Sequence, residues 1–125
     1  MTLEIERMKL HLYHYPNCST CKKARTLLKQ HGHDPILTDL VAQPIPLDQL
    51  KDLHKRSGLA LTRFFNTSGE SYRNGDFKTR IKQLSETELL TALSKDGKLV
   101  KRPILYAGSF VLVGFDPKAY ADKLG

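Results

Sequence analysis

The segment "KLHLYHYPNCSTCKKARTLLKQHG", residues 9–32, changes period in its middle, and this constrains the fold more than any other feature of the chain. "KLHLYHY" alternates, with Leu10, Leu12 and His14 on one side and His11, Tyr13 and Tyr15 on the other, which predicts a strand. "PNC" breaks it. From Ser19 or Thr20 the spacing turns helical: Cys21, Ala24 and Leu28 share a face with Leu27 beside them. Lys22, Lys23, Arg25 and Lys29 cover the opposite side, and Gly32 occupies the usual glycine stop position. The two cysteines of the chain, Cys18 and Cys21, straddle the junction.

The remaining elements follow from local signals. "DPILTDLV" predicts a short second strand, Ile36–Leu40. After "AQPIP", a helix shows Leu47, Leu50 and Leu53, with Pro46 in its first turn and Gly58 closing it. Residues 59–84 hold Leu61, Phe64 and Phe65 near helical spacing and then a polar, Gly-containing stretch, so short helices and turns are expected. Ser85 and Glu88 form a capping box ahead of Leu89, Leu90 and Leu93. Asp96-Gly97 is a turn. "PILY" and "FVLV" read as strands joined by Ala107-Gly108-Ser109, and Asp116-Pro117 starts a last helix. With the helical middle set aside, the order is βαβ followed by ββα. A βαβ unit favours a parallel pair, and the hairpin extends it to a mixed four-stranded sheet with helices on both faces. This α/β layout resembles a thioredoxin-like domain with a helical insertion over roughly residues 41–95.

At 125 residues the expectation is a single domain, 1–125, with residues 1–8 as an N-terminal extension and Met8 as an alternative start. No apolar run approaches the ~18 residues of a membrane span. The N-terminus has no signal-peptide core, so a cytoplasmic protein without a membrane partner is expected. The net charge of +7 favours anionic partners. The basic residues are spread along the chain, as on a solvated basic surface, and direct nucleic-acid binding is not expected.

Cys18 lies where free backbone N–H groups and the helix dipole favour a thiolate, with Lys22, Lys23 and Arg25 adding positive charge. Cys21, one turn on and on the apolar face, should be less exposed and placed to attack an adduct on Cys18. In the cytosol such spacing means redox or metal work. Zinc would need two further ligands from His11, His14, His31, His33 or His54, and no paired spacing supplies them. These histidines read as surface residues. Pro103, just before the third strand, is placed to take the cis form against the cysteine turn. Arg102 would then point near Cys18, where its guanidinium can bind an oxyanion or steady a thiolate.

"YHYPNCSTCKKARTLLKQHG", "RFFNTSG" and "KRPIL…VLVGF" together resemble the family that unites glutaredoxin-linked arsenate reductases with the Spx-type transcription regulators. The resemblance runs from Lys9 onward and implies the thioredoxin-like fold with its helical insertion. In the reductases the first cysteine of the loop attacks arsenate, and glutathione and glutaredoxin complete the reduction; that role would fall on Cys18. Of their three oxyanion-site arginines, Arg102 matches one and Arg63 another, while "VLVGF" offers no third. Those enzymes generally lack the second cysteine, present here as Cys21. The Spx type has both cysteines as a redox switch and binds the C-terminal domain of the RNA polymerase alpha subunit. The first expectation is therefore a thiol-disulfide oxidoreductase, a monomer with no bound cofactor. In it, Cys18 attacks, Cys21 resolves, and Arg102 and Arg63 stabilise the anion. Asn17, Ser19 and Thr20 shape the loop, and Pro103 shapes the docking surface. A small thiol or redox protein (glutathione, glutaredoxin or thioredoxin) would be the donor. The alternative is a redox-switched regulator that binds RNA polymerase.

Overall fold

The computed structural model describes residues 9–124, so the extension at 1–8 lies outside the described residues. Four strands, β1 (His11–His14), β2 (Ile36–Asp39), β3 (Ile104–Tyr106) and β4 (Val111–Val113), form one sheet in the order β2-β1-β3-β4. β1 runs parallel to β2, with His11 opposite Ile36, and antiparallel to β3, with Leu12 opposite Leu105. β3 and β4 are antiparallel. This is the mixed four-stranded sheet expected from βαβ plus ββα. The helices are α1 (Ser19–Gln30), α2 (Leu47–Ser57), α3 (Glu70–Asn74), α4 (Phe77–Arg80), α5 (Glu86–Lys95) and α6 (Pro117–Leu124), with 3-10 turns at Leu61–Phe64 and Gly97–Leu99.

The period-two alternation of the strands separates two cores. Leu10, Leu12, Leu105 and Phe110 pack with Ala24 and Leu28 of α1 and with Tyr120 and Leu124 of α6. Tyr13, Ile104 and Val111 face the other way, into a larger core with Leu50 and Leu53 of α2 and Leu89, Leu90 and Leu93 of α5. Phe64, Phe65 and Phe77 from the polar-looking middle segment join that second core. The short helices there stand on these aromatic anchors rather than on their own length.

Local signals set the element ends. The Ser85 hydroxyl accepts from the Glu88 N–H at 3.1 Å, and the Glu88 carboxylate accepts from the Ser85 N–H at 3.1 Å. α1 stops where Gly32 takes φ 79° and the His33 N–H returns to the Leu28 carbonyl at 2.9 Å. Three boundaries differ from expectation. β2 ends at Asp39 rather than Leu40, because the Asp39 carboxylate accepts from the N–H groups of Val41 and Ala42 and turns the chain. Pro46 is the cap residue of α2, in extended geometry, and the helix begins at Leu47. Each hairpin strand starts one residue later than expected, at Ile104 and at Val111, and Phe110 closes the turn by accepting from the Ala107 N–H.

Two contacts position the chain just ahead of β3. Phe65 bridges Val100, and the Lys101 N–H donates to the Phe64 carbonyl at 2.7 Å. Gly97 is buried against the Leu40 carbonyl, so a Cβ there would collide with backbone rather than with a movable side chain. Gly97→Ala is expected to destabilise the fold by more than about 2 kcal/mol. Urea unfolding should show this as a lower midpoint with an unchanged slope.

Candidate functional site

The cysteine turn is built by the end of β1 and the start of α1. Cys18 is the cap residue of α1, with extended φ −81° and ψ 121°. Its N–H donates to the Tyr15 carbonyl at 3.0 Å, and its carbonyl accepts from the Lys22 N–H at 3.0 Å. No acidic residue occupies the first turn of α1, so nothing offsets the positive end of the helix there. Cys21 is fully buried, and its sulfur accepts from the Tyr15 N–H at 3.5 Å. Cys18 is half-buried, and both are free thiols.

The two sulfurs are polarised in opposite senses. Burial opposes ionisation of Cys18. That penalty is outweighed by the thiol and backbone N–H of Cys21 and by the Arg102 guanidinium, which together hold the Cys18 pKa below the ordinary cysteine value. The cap position carries no side-chain hydrogen bond in the free-thiol geometry; these groups act on the charged form. Burial pushes Cys21 up to about 12, and the neighbouring Cys18 adds to the rise.

Arg102 reaches the turn from the opposite side of the chain. The Arg102–Pro103 peptide is cis, Pro103 is buried, and the guanidinium carbon lies 5.1 Å from the centre of the Tyr15 ring. Its Nε and Nη1 are buried and have no hydrogen-bond partner among the described residues. An anion beside Cys18 would supply one. Asn17 and Ser19 are exposed at the turn and Thr20 is half-buried.

Arg63 is placed elsewhere. It sits in the 3-10 turn whose Leu61 and Phe64 point inward, which leaves the arginine exposed. It lines a cleft of about 400 Å³ along β4, whose walls include neither Cys18 nor Arg102. The expectation of surface histidines fails at His14, which is buried: its Nδ1 lies 2.7 Å from Nη1 of Arg25. Arginine only donates, so this nitrogen accepts and the ring is neutral. Burial and the Arg25 charge both hold the His14 pKa below its ordinary value. His11 meets the Thr38 hydroxyl at 2.7 Å, and His54 meets Glu86 at 3.2 Å. Among the described residues no three His, Cys, Asp or Glu side chains gather as a metal site. No described helix is long and apolar enough to cross a membrane.

Three residues of the neighbourhood escape a reading of the sequence. Tyr15 holds both Cys21 and Arg102. Arg25 reads from sequence as a basic-face residue adding charge near Cys18, and the structure turns it to His14 instead. Tyr120 of α6 is fully buried, its hydroxyl has no partner among the described residues, and burial holds its pKa well above the ordinary phenol value. The alternation that puts His14 with Leu10 and Leu12 was the one available signal for its burial.

A strand, a helix-capping cysteine, a second cysteine one turn on and a facing cis-proline define a thiol protein of thioredoxin-like architecture. Residues 13–122 match the ArsC family, and the chain belongs to that family. It is 44% identical to the uncharacterized protein YusI of Bacillus subtilis over 93% of this chain and 98% of that one. A solved ArsC-family-related protein from Bacteroides fragilis superposes with a TM-score of 0.90 at 36% identity, covering 94% of this chain and 98% of its own. More distant relatives divide in kind. An arsenate reductase of Haemophilus influenzae is 27% identical over 94% of this chain and all of its own length. The global transcriptional regulator Spx 2 of Bacillus cereus is 26% identical over 84% of this chain and 79% of its own.

Alkylation of Cys18 should follow a titration centred below the ordinary thiol value, while Cys21 stays unreactive at neutral pH. Removing a cation disfavours the thiolate and so raises the pKa. Arg102→Ala should therefore move the Cys18 titration upward and slow alkylation at neutral pH. Rates measured by mass spectrometry from pH 5 to 10 check both statements. An unmoved Cys18 titration would remove Arg102 from the site.

Proposed function

We propose that this protein is a thiol-disulfide oxidoreductase of the arsenate-reductase-like type, working in the cytoplasm. One observation carries the reading: a half-buried cysteine caps the N-terminus of a helix one turn ahead of a buried cysteine, beside a guanidinium with unused donors. The Cys18 thiolate attacks one sulfur of a substrate disulfide. A bond forms between Cys18 and that sulfur, and the other sulfur leaves as a thiolate and takes up a proton. Cys21 then gives up its proton and attacks the Cys18 sulfur, which releases the second substrate thiol. Two electrons have passed to the substrate, and the protein is left with a Cys18–Cys21 disulfide. An external thiol, such as glutathione, glutaredoxin or thioredoxin, restores the pair by the same exchange.

The high pKa of Cys21 suits its order in this sequence, because it keeps that thiol protonated until an adduct on Cys18 is within reach. Arg102 steadies the Cys18 thiolate and the anionic group of an incoming substrate. Arsenate is a candidate on the same terms: the thiolate adds to arsenic with loss of water, and a second thiol attacking that sulfur takes arsenic from the +5 to the +3 state. With one arginine at the turn, arsenate should be the poorer substrate. The regulator relative favours a second reading, in which the same exchange between two thiols and a disulfide gates binding to the RNA polymerase alpha subunit.

Purified protein should reduce oxidised glutathione or a mixed disulfide of cysteine with a thioredoxin or glutaredoxin system as donor. Cys18→Ser should bring this to background. Cys21→Ser should accumulate a covalent adduct on Cys18 visible by intact mass. No turnover and no adduct with any of these substrates or arsenate would sink the enzyme reading. Polymerase alpha-subunit binding that follows the redox state would then favour the regulator.

A further inference from the structure

Away from the cysteine turn, a cleft of about 400 Å³ runs beside β4. β4 is one of the two edge strands of the sheet, β2 being the other. The Gly114 N–H donates to the Pro103 carbonyl at 2.8 Å, and the Ala107 N–H to the Phe110 carbonyl at 3.1 Å. These two bonds fix which residues of β4 are bonded to β3. In an antiparallel ladder bonded pairs alternate, so Phe110, Leu112 and Gly114 bond inward, while Val111 and Val113 turn their N–H and C=O groups toward the free edge. Both valines line the cleft.

The cleft walls are basic. Arg56, from the end of α2, is anchored by Asp52 at 3.0 Å and donates to the Gly108 carbonyl at 2.6 Å. Arg63 comes from the 3-10 turn and Lys123 from α6; neither has an ion-pair partner among the described residues. One acid, Asp116, stands among the three cations. We propose that this cleft is an interaction surface for an extended acidic segment of a partner protein, which adds to β4 as a further strand. Outward N–H and C=O groups match a peptide main chain rather than a phosphate backbone. Arg63 and Lys123 then select carboxylates on alternate side chains. A second copy of this basic chain, at +7, is disfavoured by like charge. The Gly114–Pro103 bond joins the end of β4 to the cis-proline segment that precedes β3.

The test is a titration of the ¹⁵N-labelled full chain with a capped hexapeptide that alternates glutamate and valine, with a lysine–valine peptide as the control. The acidic peptide should bind saturably and move the Val111 and Val113 amide signals, and binding should weaken as salt is raised. Arg63→Glu with Lys123→Glu should weaken it at least about tenfold. Replacing both cysteines by serine should leave it unchanged, which separates this surface from the thiol chemistry. Absence of saturable binding up to about 1 mM peptide would overturn the proposal. So would equal binding of the lysine peptide, or shifts confined to the cysteine turn. Equal competition by succinate would overturn the peptide assignment and leave a small-anion site. Salt dependence of the unaltered chain serves as the readout if the double variant does not fold.

Discussion

Everything in this molecule is referred to the register of β1. The strand has four residues, bonds to β2 on one side and β3 on the other, and supplies a residue to each core in turn. Leu12 enters the core of α1 and α6, and Tyr13 enters that of α2 and α5. A slip of one residue would exchange the two faces. It would also move the turn that follows, and with it the placement of Cys18 at the tip of α1. The chemistry is held by the same pairing that holds the fold.

That pairing explains why two identical side chains three residues apart behave differently. Cys18 ends the non-helical segment, where backbone N–H groups are unpaired and the guanidinium is close. Cys21 falls on the face of α1 that Ala24 and Leu28 also occupy, and it is sealed from water. The difference is one of position along a helix turn. Arg102 then adds to a difference that position alone has already set between the two thiols.

Features set by nearby residues were legible in the sequence. The Ser85–Glu88 box, the glycine stop at Gly32, the helix face of Cys21, Ala24 and Leu28, and the mixed sheet all depend on short-range pattern or on a few strong strand signals. Features set by partners far along the chain were not. His14 is buried because Arg25 comes back over it from α1, and an imidazole reads equally well as a surface group. The early stop of β2 is a local exception: the Asp39 side chain closes its own turn, a contact that strand patterning does not reveal. Arg102 and Pro103 were found because the cysteine turn gave them something to face. Arg63 was paired with them on motif alone, and the 3-10 turn that carries it points it to another cleft.

The sheet is also a partition. The two cores touch it from opposite sides and share no side chain, so communication between them runs through strand backbone and through adjacent residues such as Leu12 and Tyr13 or Ile104 and Leu105. Changes of volume among Phe64, Phe77 and Leu93 should thus combine additively with changes at Leu28 and Leu124, whereas pairs adjacent on one strand should not. The core under the cysteines draws its side chains from the opening and closing stretches of the chain, residues 10–28 and 105–124. The long middle can change its packing, and the partners its surface meets, while the wall behind Cys21 stays as it is.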